Sequence, residues 1–150
     1  MVYPVITLYQ PWATWIMRGW KLIETRTHNK FANLSGRTIL IHAGKTTDNS
    51  FYATHNPYLS KEQILYKPEE MVNGFILGSA FVFSSRRLNS SDSQLALIEC
   101  NSTLRYGLFL KDIKVFDEPI PAKGDMGVWY FDLDNKQKVT KPSTTGTLFD

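Results

Sequence analysis

Cysteine is almost missing from this chain: Cys100 is the only one among 150 residues, which excludes an internal disulfide and any cysteine-based metal cluster. His-x-x-x-His spacing and Asp-rich loops are missing as well, so no metal and no cofactor are expected. Long hydrophobic runs are equally scarce. The longest, FILGSAFVF from Phe75 to Phe83, is strand-sized and far short of the roughly 20 residues a membrane-spanning helix needs, so no membrane partner is expected. The N-terminal MVYPVITLYQPW does not follow the basic, apolar and small-residue order of a secretory leader, and a reducing, cytoplasmic setting is the expectation. Charge of one sign is also in short supply: Lys plus Arg total 17 and Asp plus Glu 14, leaving +3. An excess that small identifies no polyanionic partner by itself, so only the placement of the cations can do so.

What is present is one domain's worth of apolar sequence, without internal repeats or a linker. Val5 to Leu8 reads as a strand, and Pro11 opens a short helix in which Trp15 and Ile16 face the core and which Gly19 ends. Ile23 to Thr27 reads as an extended segment whose alternation puts Glu24 and Arg26 on one face. GRTILIHAG is an interior strand, with Ile39, Ile41 and Ala43 on one side and Thr38, Leu40 and His42 on the other. The spacing of Ser60 and Gln63 is that of a capping box starting a helix that ends before Pro68. Gly74 to Phe83 is the clearest strand. Residues 84–94 read as a polar surface segment carrying Arg86 and Arg87, and residues 95–101 as a strand edge. YGLFLKDIKVF is a strand interrupted at Lys111 and Asp112, and EPIPAKGDMG is a connector into VWYFDL. The domain spans residues 1–134, and residues 135–150 form a tail that is either frayed or docks through Leu148 and Phe149. Short strands with two or three short helices, and no βαβ alternation, predict an α+β fold on a small, strongly curved mixed or antiparallel sheet.

The densest polar chemistry lies in Gly19-Trp20-Lys21-Leu22-Ile23-Glu24-Thr25-Arg26. Lys21 and Arg26 suit an anionic group, while Glu24 can accept hydrogen bonds from an amide or amino edge. On spacing alone the favoured reading is a surface strand with a solvated charge pair worth about 0 to 1 kcal/mol and no ligand. The pattern Gly-x-Lys-x-x-Glu-x-Arg, preceded by Tyr9-Gln10-Pro11-Trp12-Ala13 and followed by GRTILIHAG, resembles the ASCH domain family (activating signal cointegrator homology), of the PUA-like superfamily. In EPIPAKGDMGVWYFDL, the residues Pro119, Pro121, Lys123, Gly124, Gly127 and Trp129 are similar to that family's closing segment.

The resemblance implies a PUA-like small β-barrel, with RNA, a nucleotide or a modified nucleoside as partner in a cleft lined by Gln10, Trp12, Lys21, Glu24, Arg26 and Lys123. Stacking on Trp12, Trp20 or Trp129 and hydrogen bonds from the Gln10 amide fit such a ligand, although each tryptophan is also a natural core residue. Glycines beside Lys123 would admit a phosphate. PUA-like amidohydrolases acting on N4-acetylcytidine are similar at Gly19, Lys21 and Arg26 but carry a threonine nucleophile where this chain has Glu24. A hydrolase here, on an acylated nucleoside or on RNA, would therefore use Glu24 as base and Lys21 as oxyanion partner, because alternation turns Thr25 and Thr27 away. His42 is a catalyst or, more simply, a satisfied core residue; His28 and His55 read as surface. Arg86, Arg87, Lys111, Lys114, Lys136, Lys138 and Lys141 read as solvated charges, and Phe51, Tyr52 and Tyr58 would serve a protein-interaction adaptor.

Overall fold

The computed structural model describes residues 1–48, 56–65, 71–101 and 104–142. Its strands are β1 (Val2–Gln10), β2 (Ile23–Arg26), β3 (Thr38–Thr47), β4 (Phe75–Arg87), β5 (Tyr106–Pro121), β6 (Val128–Asp132) and β7 (Gln137–Val139). Among the described residues they are accompanied by the short α-helices α1 (Trp12–Met17), α2 (Lys61–Leu65) and α3 (Ser93–Ala96) and by single 3-10 turns at Ala32–Leu34 and Ser90–Asp92. The strands form one mixed sheet in the order β2-β5-β4-β3-β1-β6-β7, in which only β1 and β3 run parallel.

β3 is interior, between β1 and β4, and both of its faces are covered, as its two-sided apolar pattern predicts. Ile39, Ile41 and Ala43 pack with Ile6 and Leu8 of β1 and with Ala13, Ile16 and Met17 of α1. Leu40 points the other way, into a second cluster with Val5, Ile76, Trp129 and Phe131. Gly19 ends α1 at φ +74°, a left-handed conformation that glycine adopts without a Cβ clash. Ser60 and Gln63 cap α2 reciprocally: the Gln63 N–H donates to Ser60 Oγ at 3.1 Å, and the Ser60 N–H to Gln63 Oε1 at 2.7 Å.

The α+β expectation holds as a mixed seven-stranded sheet with a few short helices. β2 and β7 are the two edges of the sheet, and no strand pairing joins them among the described residues. The outer side of the β2 region is met instead by α3, where the Leu22 N–H donates to the Leu95 carbonyl at 3.0 Å. Residues 84–87 are strand rather than surface loop, since Ser84–Arg87 pair with Phe109–Tyr106 of β5 and backbone pairing outweighs side-chain polarity. Residues 95–101 form no strand: Asn89 and Asp92 make a capping box that starts helical turns, and Leu97 closes α3 at φ +59°. The interruption at Lys111 and Asp112 is a bulge within β5, which shifts register between the Ser79–Lys114 and Phe81–Lys111 pairs. β5 then runs on through Glu118 to Pro121, which the sequence assigns to a connector, and the sheet continues past residue 134 into β7. Residues 143–150, with Leu148 and Phe149, lie outside the described residues.

Candidate functional site

α1 and β2 meet at a tight corner in which the Lys21 N–H donates to the Trp15 carbonyl at 3.1 Å. The Lys21 side chain therefore runs inward, and the residue is only 2% exposed. Its Nζ donates to the Ala96 carbonyl at 2.5 Å and lies 5.0 Å from the Trp12 ring centroid. Burial lowers the Lys21 pKa to about 8, and the opposing attraction of Glu24 recovers only part of the loss. Glu24 is itself buried, and its Oε2 is 3.2 Å from Arg26 Nη2, so the two share a strand face and a contact. Arg26 stacks 4.9 Å from the Phe31 centroid, and its Nε is enclosed without a hydrogen-bond partner among the described residues.

These side chains line a compartment of about 310 Å³, together with Tyr9 and Asp48; the latter accepts from Trp12 Nε1 at 3.2 Å. Thr25 also borders it, although alternation turns that residue from Glu24. A larger compartment of about 830 Å³ lies alongside and shares Thr7, Tyr9 and Arg26 with the smaller one. Its walls carry Lys30, Lys45 and Lys123, all exposed. Asp125, the acid of that lining, is held by Lys138 at 2.7 Å.

The floor of the larger compartment is a fixed polar chain. Trp129 Nε1 donates to Thr7 Oγ1 at 2.9 Å, Thr7 Oγ1 lies 3.2 Å from His42 Nδ1, and His42 Nε2 lies 2.7 Å from the Ala122 carbonyl. A carbonyl only accepts, so Nε2 carries the proton and the Thr7 hydroxyl donates to Nδ1. Burial lowers the His42 pKa, which keeps this neutral tautomer. Gly124 lies directly on the pair: a Cβ there would stand 2.6 Å from Thr7 Oγ1 and 2.7 Å from His42 Cε1.

Trp12, Lys21, Glu24 and Arg26 thus converge, and Lys123 stands across Arg26 in the neighbouring compartment. Gln10 does not join them. It is fully buried, its Nε2 donates to the Val72 carbonyl at 2.8 Å and its Oε1 accepts the Thr14 N–H at 3.0 Å, so its amide caps α1 and reads no ligand. Gly124 packs on protein rather than on phosphate. Trp129 is a buried core residue; Trp12 and Trp20 both pack half-buried beside the Trp15, Leu59 and Leu97 cluster, and of these two it is Trp12 that lines the smaller compartment. His42 is the satisfied core histidine, while His28 lines the larger compartment and accepts the Lys30 N–H at 3.1 Å. Arg86 grips Asp92 with two bonds of 2.8 and 2.9 Å, a structural contact. Lys111 lies 5.6 Å from the Phe81 and Phe83 rings. Phe51, Tyr52 and His55 lie outside the described residues; Tyr58 is half-buried, its carbonyl accepting from Gln94 at 3.0 Å.

Tyr9, 56% exposed at the junction of the compartments, enters the sequence reading only within the motif before Gln10 and not as a candidate ligand contact. The signal was alternation along β1, which turns Thr7 and Tyr9 away from the core residues Ile6 and Leu8. Lys30, Lys45 and Asp48 had no such signal: Lys45 lies within β3, Asp48 just after it and Lys30 in the segment after β2, and they meet only in the fold. Among the described residues no three His, Cys, Asp or Glu side chains gather as metal ligands, and no helix is long and apolar enough to cross a membrane.

The fold matches solved structures of ASCH proteins. An ASCH protein from Zymomonas mobilis superposes with a TM-score of 0.58 at 13% identity, over 92% of this chain and 96% of that one. Two single-residue variants of ZmASCH give TM-scores of 0.51 and 0.50 at 15% and 17% identity; each match covers 79% of this chain, and 75% and 73% of the respective variant chains. No protein-family model and no curated protein sequence matches the chain.

Proposed function

We propose that this ASCH-fold chain binds RNA or a nucleotide, with one base in the smaller compartment. The observation that carries the reading is the convergence of Lys21, Glu24, Arg26 and Trp12 on one compartment of about 310 Å³, beside a cleft walled by lysines. That volume is near the lower limit, about 300 Å³, of small-molecule sites, and suits a flat heterocycle. The Glu24 carboxylate accepts from an exocyclic amine, and the Lys21 ammonium and the Arg26 guanidinium donate to ring carbonyls or phosphate. Tyr9 offers an accessible ring face at the mouth.

Titration of the protein with ribonucleotides and short RNAs, followed by tryptophan fluorescence, tests this. Hydrogen bonds to charged groups contribute about 1.5 to 3 kcal/mol, so Lys21→Ala or Arg26→Ala should weaken binding by about 10- to 100-fold. Unchanged affinity in both variants refutes the site.

A second reading rests on the depressed pKa of Lys21. An amine with a pKa of about 8 beside a carboxylate is suited to proton transfer near neutrality. In that reading Glu24 activates water against the acyl carbon of an acylated nucleoside, and Lys21 stabilises the oxyanion. Chromatography of N4-acetylcytidine after incubation with the protein and with Glu24→Gln decides it: cytidine and acetate from the former alone support hydrolysis, and no product or equal product rejects it.

A further inference from the structure

Beyond the two compartments already described lies a third, of about 370 Å³, and the three stand in a row. The smaller and larger compartments share Tyr9 and Arg26, and the larger and third share Lys30, Phe31 and Asp125. The two outer compartments have no lining residue in common, which fixes the order. Lysines follow that line: Lys45 and Lys123 in the middle, Lys30 at the second junction, and Lys138 and Lys141 at the far end. Lys138 is held by Asp125, whereas the other four are exposed and form no ion pair among the described residues.

A cation cluster for one phosphate would surround one point. Here the cations are strung along a groove that begins at a base-sized compartment, and a repeating polyanion matches that layout better than a single anion does. We infer that the groove is a track for a single-stranded oligonucleotide, with one unstacked base in the smaller compartment and the backbone running over Lys45, Lys123, Lys30 and Lys141. A duplex does not fit, because its bases are paired and stacked away from so small a compartment. The inference rests on the proposed nucleotide-binding role and adds to it the length and form of the ligand.

The test is a length series with the full chain: a ribonucleoside monophosphate, 5′-phosphorylated RNA dimer and tetramer of one base, and a blunt RNA hairpin, each titrated at several salt concentrations. Affinity should rise with length by about tenfold or more in total. With four phosphate contacts, the log affinity of the 5′-phosphorylated tetramer should fall with log salt at a slope of about −3, since each neutralised phosphate of a single strand contributes about −0.7. Lys45→Ala combined with Lys123→Ala changes only exposed side chains, so folding is not at issue. This pair should make the tetramer's slope shallower by about 1.4 and weaken the tetramer by a larger factor than the monophosphate. Equal affinity for monophosphate and tetramer, an unchanged slope in the double variant, or tighter binding of the hairpin overturns the track while leaving the base compartment intact. Absence of binding by every ligand, or binding of all of them untouched by Lys21→Ala, overturns the underlying nucleotide reading and the track with it.

Discussion

Lys21→Met is expected to stabilise the folded protein at neutral pH while removing a ligand contact. The ammonium is 2% exposed, and burial holds its pKa at about 8 against 10.5 in a solvated chain. At about 1.36 kcal/mol per pH unit, that gap means that burying the charged form costs about 3 kcal/mol at pH 7. Because the unfolded chain keeps the proton to higher pH than the folded one, stability rises with pH between about 8 and 10.5; near pH 9.5 the remaining cost is about 1 kcal/mol. Methionine keeps the apolar stem but leaves the Ala96 carbonyl without its donor, which costs about 1 kcal/mol or somewhat more. The net expectation is a gain of about 1 to 2 kcal/mol at pH 7 that is cancelled or reversed by pH 9.5. Urea unfolding of both proteins at the two pH values reads this directly. A variant less stable than the parent at pH 7, with a difference that does not change with pH, would show that the buried lysine is a net structural asset and refute the reasoning.

Gly124→Ala should cost about 1 to 3 kcal/mol, as overpacking does, because its Cβ would collide with Thr7 and His42; thermal unfolding measures it, and Trp129 emission should shift as its Thr7 partner moves. Gln10→Ala should lower stability by about 1 to 3 kcal/mol, since it strands the Thr14 N–H and the Val72 carbonyl, yet leave nucleotide affinity of the folded protein unchanged by titration. His42 has a folded pKa below its ordinary 6.5, so its contribution is fully present above pH 6.5 and is lost as pH falls through the folded value; unfolding curves from pH 7 to 5 should show that loss, and His42→Gln should flatten it.

The local half of the site was legible in the sequence. Glu24 and Arg26 are two apart on a strand, and a period of two puts them on one face, where they pair at 3.2 Å. The capping box at Ser60 and the interior character of β3 were equally local. Burial of Lys21 was not, because its carbonyl partner lies 75 residues away in a helix that the sequence presents as a strand edge. Gln10 misled for a related reason: its donor and acceptor are chemically right for a ligand, and only the fold shows Val72 and Thr14 taking both. Closure of the sheet was not legible in the sequence either: α3 lies beside the β2 edge and a three-residue β7 forms the other, with no strand pair between the edges among the described residues.

Arg26 is a wall of two compartments at once, with one nitrogen committed to Glu24 and another without a hydrogen-bond partner among the described residues. A ligand group that drew the guanidinium to one side would also change the charge presented to the other, so in the proposed function occupancy of the two compartments would be thermodynamically coupled. Linkage makes the coupling reciprocal: whatever factor a bound base adds to backbone affinity, a bound backbone adds to base affinity. Under the proposed function, selectivity for the base would then be set partly outside the compartment that holds it.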